Sequence, residues 1–196
     1  GHCVIHNNKR DKFGLIDKKG NWMLKAEYDA ILPKDSFFVV NKGGMQSVLT
    51  ENLKQILPFM EADLWISGNS ITATMKDHTL RKYNLQGELI DDFLISNVDR
   101  LLYDTDEIRY TTAKNYDDEG NLTGETAEAE PTPYQKTANC KKYEADIGWY
   151  GLMSPSGKVI TPPRYCDITA IGYDLYLCKT DDIRGEVLNG KGVRVR

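Results

Sequence analysis

Phe13-Gly14-Leu15-Ile16-Asp17-Lys18-Lys19-Gly20 and Tyr150-Gly151-Leu152-Met153-Ser154-Pro155-Ser156-Gly157 are two copies of one pattern. Each is an aromatic, a glycine, two apolar residues, a polar tripeptide and a second glycine, and each reaches a tyrosine eight residues later, at Tyr28 and Tyr165. The copies lie 137 residues apart, and further copies at about a quarter of that offset fall at Leu53, Gly87 and Gly120, spaced 33, 34, 33 and then 37, with a sixth, frayed copy at Gly190. A period of this length marks a solenoid, propeller or array, in which one unit cannot bury its apolar face alone and must stack on its neighbours.

Within the first unit Lys12 to Asp17 reads as a strand, Lys18-Lys19-Gly20 as a turn whose glycine takes positive φ freely, and Asn21 to Lys25 as the returning strand. Two more short strands follow, Tyr28 to Ile31 and Phe37 to Lys42, parted by the turn formers Pro33-Lys34-Asp35-Ser36. Runs of five or six residues broken by Gly, Pro, Asn and Asp leave no room for an amphipathic helix, so the fold class is all-β, made of tandem antiparallel hairpin or meander repeats. Four residues before each turn glycine stand Ile16, Leu49, Tyr83, Tyr116 and Met153, expected to fill one core layer; three before it stand the short polar Asp17, Thr50, Asn84, Asp117 and Ser154. Trp22, Leu89, Leu122 and Val159, two after it, are expected to lean on the same layer. Leu53 stands where glycine is expected. Residues 123–134, poor in large apolar side chains, read as an exposed, mobile loop that accounts for the one long spacing.

Gly148-Trp149-Tyr150-Gly151-Leu152-Met153, with Gly157-Lys158-Val159-Ile160-Thr161-Pro162-Pro163-Arg164-Tyr165-Cys166-Asp167-Ile168, resembles the WG (KWG) repeat of bacterial proteins, and Phe13 to Ile31 is similar with Lys25-Ala26 in place of the proline pair. The resemblance implies a bacterial β-repeat protein; the period gives about five to six units over 1–196 as a single β-repeat domain, and the cell envelope or exterior is the location expected of a binding module of this kind. Two closures fit: an open array, or a propeller-like ring in which the terminal segments complete one unit together. The first residue is Gly1 rather than methionine, as in a processed or recombinant chain.

At 196 residues folding hides roughly 70% of the unfolded surface, so no metal or disulfide staple is required. Cys3, Cys140, Cys166 and Cys178 lack C-x-x-C spacing and read as small hydrophobes, although four cysteines are compatible with one disulfide. No apolar run is long enough to span a bilayer, and a net charge of −4 without a basic, aromatic-interleaved cluster argues against nucleic acid.

Chemistry is harder to find. His2, His6 and His78 have no metal-ligand spacing, and no G-x-S-x-G, G-x-G-x-x-G or P-loop is present, so no cofactor is implied. The carboxylates at Asp91-Asp92, Asp117-Asp118-Glu119 and Asp181-Asp182 fall at turns, where they serve the backbone, though two of them converging on a ring would suit a glycan hydrolase. Tyr28, Tyr165, Trp22 and Trp149 recur with the period and belong to the core; Trp65, Tyr103, Tyr134 and Tyr173 do not, and are the candidate contact aromatics for a protein or glycan partner. The reading is a non-enzymatic binding or scaffold module, with the hydrolase as its alternative.

Overall fold

The computed structural model describes residues 1–110, 112–127 and 132–195, and every strand or helix among them is a β-strand. The chain divides into two compact units, Gly1–Ser96 and Asn97–Arg196, where the repeat alone reads as one body.

In the first unit His2–Asn7 (β1), Lys12–Asp17 (β2) and Trp22–Tyr28 (β3) form one antiparallel meander. Ala30–Lys34 (β4), Phe37–Lys42 (β5), Met45–Thr50 (β6) and Gln55–Met60 (β7) form a second, and Ala62–Ser67 (β8), Ser70–Met75 (β9), Leu80–Asn84 (β10) and Leu89–Asp91 (β11) a third. In the second unit Asn97–Arg109 (β12) runs into a separate hairpin, Thr112–Tyr116 (β13) and Leu122–Ala127 (β14). The chain returns through Thr132–Glu144 (β15) to Tyr150–Met153 (β16), giving a sheet of order β12-β15-β16; Asp167–Gly172 (β17), Leu175–Lys179 (β18) and Gly185–Asn189 (β19) make the last meander.

The 33-residue period and the sheets are out of phase. The hairpins that open the first two sequence copies supply the last two strands of one sheet, β2-β3 and β6-β7, and the next two strands, β4-β5 and β8-β9, begin the following one. Within a unit consecutive sheets then stack, which explains why the middle strands β5 and β6 bury neighbouring residues rather than alternate ones. Val40 and Leu49 face Leu15, Ile31 and Phe38, while Val39 and Val48 face Leu64, Ile66, Ile71 and Ala73, so the second sheet is covered on both sides. A third cluster, with Leu101, Cys140, Leu152, Tyr165, Ile168, Tyr176 and Leu188 among its members, joins the two sheets of the second unit.

The turns share one construction. The amide of Gly20 donates to the Asp17 carbonyl at 3.1 Å, the Asp17 amide to the Asn21 carbonyl at 2.9 Å, and the glycine sits at φ 83°. The same pair of bonds recurs at Thr50/Leu53, Asn84/Gly87, Asp117/Gly120 and Ser154/Gly157, a three-residue loop closed by a left-handed residue and a bulge. The polar side chain three residues before it completes the device: Asp17 Oδ1 accepts from the amides of Lys19 and Asn21, and Thr50 Oγ1 from that of Lys54. Leu53 adopts φ 63° without being glycine, so the second copy keeps its turn. The sixth turn is centred on Gly192 (φ 74°) rather than Gly190: Asn189 is its polar residue, and the Gly190 α-carbon is crowded by Asp174. A further turn of this type, unmarked by glycine, joins β9 to β10 with His78 at φ 66°.

The other glycine of the pattern has a different reason. A β-carbon on Gly151 would land in the ring of Tyr143, and one on Gly14 would lie 2.6 Å from the Trp22 ring and 2.8 Å from the backbone at Leu24 and Ala26. Trp22 therefore lies over Gly14 with 54% of its surface still in water, and Leu89 and Leu122 are likewise exposed, so of the residues two after a turn glycine only Val159, half-buried and bridged to Met153, lies against the core layer as expected. Tyr165 is fully buried, Tyr28 and Trp149 half-buried.

Two readings of the long spacing need correction. Residues 123–134 are not simply a loop: 122–127 and 132–134 lie in strands, and 128–131 fall outside the described residues. The hairpin at Gly120 has the turn chemistry of a repeat without being part of a stacked sheet, which is why Tyr116, expected in the core layer, is 60% exposed.

Candidate interaction surface

The four predicted contact aromatics are distributed over both units. Trp65 stands on the open face of β8, opposite Thr72 and 68% exposed, because the alternate residues Leu64 and Ile66 take the buried face. In the second unit Tyr103 on β12 is half-buried against the core cluster and paired across the ladder with Lys136. Tyr134, two residues before Lys136 on β15, is capped by the Arg109 guanidinium at 4.6 Å and by the Lys136 ammonium at 5.9 Å from its ring centre. Tyr173, in the β17–β18 turn, is 61% exposed, and its carbonyl accepts from the Asn139 amide and the Tyr176 hydroxyl. The structure thus brings Tyr103 and Tyr134 onto adjoining strands with Lys136 between them, and leaves Tyr173 as the most open of the three predicted contact aromatics in this unit.

The ladder beside Tyr134 is irregular. Register slips between Asp104/Gln135 and Ile108/Pro133, so three residues of β12 oppose one of β15 and the strand bows out. The bow opens a cavity of about 430 Å³ lined by Asp104, Arg109, Thr132, Pro133 and Gln135. The Gln135 amide donates to Asp104 at 2.9 Å, Thr105 Oγ1 donates to the Tyr134 carbonyl at 2.7 Å, and Lys136 pairs with Glu107 at 3.3 Å. These groups can hydrogen-bond a polar ligand, but they hold no hydroxyl or thiol nucleophile against a base.

One carboxylate of each cluster expected at a turn is occupied there. Asp117 Oδ1 accepts from the Glu119 and Asn121 amides, Asp181 Oδ1 from those of Ile183 and Arg184, and Asp91 Oδ1 from that of Phe93. Hydrogen bonds from Asn121 hold the Asp117 carboxyl below the usual carboxylate range, and those from Arg184 and Ile183 do the same for Asp181. A glycosidic general acid needs the opposite shift. His6 stacks on Phe13 and contacts Asp11 at 2.9 Å; His2 contacts Glu51 at 3.0 Å. Among the described residues no three His, Cys, Asp or Glu side chains are grouped to hold a metal ion.

Sequence reasoning missed the feature that stands out most. The distal parts of β12 and β15 continue into β13-β14 as a hairpin arm, in which Ile108, Tyr110, Tyr116 and Leu122 are all exposed. From Leu102 to Gln135 the sequence has nine acidic and two basic side chains, against 29 and 25 in the whole chain. That local charge count was the available signal; it was hidden because the Gly120 turn matches the repeat.

The family described as WG containing repeat matches residues 13–45 and 150–182. Both segments begin near the end of one sheet, at its middle strand β2 or its last strand β16, and run into the second strand of the next, β5 or β18. No curated protein matches the chain. Among solved structures, the computationally designed Ika8 protein is 16% identical, covering 93% of this chain and 67% of its own, with a TM-score of 0.30. A eukaryotic initiation factor is 14% identical over 100% and 62%, TM-score 0.33, and Citrobacter koseri AztD 10% identical over 98% and 64%, TM-score 0.25. The chain thus spans under two thirds of the latter two. Likenesses this distant carry no functional reading. No helix is long and apolar enough to cross a membrane.

Proposed function

We propose that this chain, whose residues 13–45 and 150–182 match the WG containing repeat, is a non-enzymatic binding or scaffold module presenting a β-repeat surface to a protein or glycan partner. The observation that carries the reading is the division of labour in the chain. Turn polar groups are consumed by backbone amides and the recurrent apolar residues by sheet stacking, while aromatics outside the period, Trp65 and Tyr173, are left in water on rigid strands and turns. A bacterial setting at the envelope or outside the cell belongs to the same proposal, supported by the resemblance of the repeats.

A glycan array and an affinity capture from the source organism test it, using the intact chain and a Trp65→Ala, Tyr173→Ala variant. A partner retained by the intact chain and weakened in the variant supports the module. Silence in both assays, or release of reducing sugar from an arrayed glycan, overturns it.

A further inference from the structure

We propose that the β13-β14 arm is a docking element for a partner protein whose contact surface is basic around an apolar cleft. The inference rests on the module reading above and supplies the surface and the partner chemistry.

A two-stranded hairpin alone is marginal in water. Among the described strands, β13 and β14 make their substantial contacts with each other and with no sheet. At the tip Tyr116 and Leu122 face each other across the ladder, 60% and 55% exposed, followed on the same face by the pair Lys114 and Glu125. Ile108 and Tyr110 add two more exposed apolar side chains toward the base of the arm. Apolar groups gathered on an uncovered projection mark a surface that another molecule covers.

Charge selects the occupant. The seven acidic and two basic side chains among the described residues between Leu102 and Gln135 give the arm an excess larger than that of the whole chain, whose net charge is −4. Two copies meeting arm to arm would set like charges against each other, and a nucleic acid would be repelled outright. A basic protein surface gains on both counts, being steered to the arm over a Debye length and then covering Tyr116 and Leu122. The Asp117 carboxyl, bonded to its own turn, stays ionised below the usual carboxylate range, so the tip keeps that charge in mild acid.

The test places a photo-crosslinking benzoylphenylalanine at Tyr116 in the full chain, expressed in the source organism, with the same residue at Trp65 as reference. The expected result is a second protein trapped from Tyr116 through a peptide of net positive charge. Its purified complex should weaken about tenfold in Asp118→Lys, Glu119→Lys and again in Tyr116→Ser, Leu122→Ser, and should weaken as salt rises. Circular dichroism of each variant separates loss of binding from loss of fold. Trapping of another copy of this chain, or of a partner through an acidic or uncharged surface, overturns the proposal. So does a partner held equally well by all the arm variants, an outcome that leaves the module reading intact. No partner in any assay ends both.

Discussion

Replacing Gly151 with alanine should unfold the second unit far more readily than its single added methyl suggests. The new β-carbon would fall on Cε1, Cζ and the hydroxyl of Tyr143, whose side chain is fully buried and donates to the Thr161 carbonyl at 2.7 Å. The ring has no free volume to enter, so either the β16 backbone shifts or the tyrosine swings and abandons its bond. Overpacking a filled core costs about 1–3 kcal/mol. Leaving the Thr161 carbonyl unsatisfied adds about 1–3 kcal/mol. The sum, about 2–6 kcal/mol, is a large share of the roughly 5–15 kcal/mol that holds a domain together. Urea unfolding followed by Trp149 fluorescence, in a Trp22→Phe, Trp65→Phe background, isolates the second unit. If the ring is the obstacle, Gly151→Ala in a Tyr143→Leu chain should cost less than about 0.5 kcal/mol beyond Tyr143→Leu alone, a coupling of at least about 2 kcal/mol. Additive costs would refute the reasoning.

Gly157→Ala is the contrasting case: its β-carbon meets nothing within 4 Å, but φ is 91°, so the same assay should give a smaller loss of about 1–2 kcal/mol that Tyr143→Leu leaves unchanged. Alkaline pH should destabilise the second unit selectively. Burial raises the Cys178 thiol to about 12 and the Tyr165 hydroxyl to about 12, and also raises Tyr143, Tyr176 and Cys140, all within 97–196. Each of these groups titrates later when folded than when unfolded, so their contribution is complete below about pH 9 and is lost as pH climbs toward 12; Trp149 should report unfolding at lower urea there while Trp22 and Trp65 hardly move. At pH 8 Ellman's reagent should modify exposed Cys3 rapidly and reach Cys140 and Cys178 only on unfolding. Asp117→Ala should speed hydrogen exchange at the Glu119 and Asn121 amides with no change at the equivalent Lys19 and Asn21 amides held by Asp17.

The local devices of this fold could be read from the sequence because their causes are local. A short polar residue three before a left-handed position specifies the bulged turn whether the closing residue is Gly20 or Leu53, and the aromatic-glycine pair specifies where a ring crosses a backbone. What could not be read depends on partners distant along the chain. The hairpin at Gly120 carries every local mark of a repeat, yet it projects, because whether a sheet stacks on it is decided elsewhere. Trp22 sits at a position that alternation assigns to the core and is turned outward by the ring's passage over Gly14. Of the candidate site, Trp65 was identified by its absence from the periodic pattern, whereas the ring-capping of Tyr134 follows from a register slip that no residue type announces.

The offset between the covalent period and the sheets bears on how such a chain can lengthen. A cut after Gly44 separates β4-β5 from β6-β7 and breaks the β5-β6 ladder in the middle of a sheet. Copying one period, by contrast, adds one whole sheet wherever the copy begins, since the strands missing from its front are restored at its back. Duplication of one full period therefore keeps the added four-stranded sheet complete, with the register of the first two copies as its template.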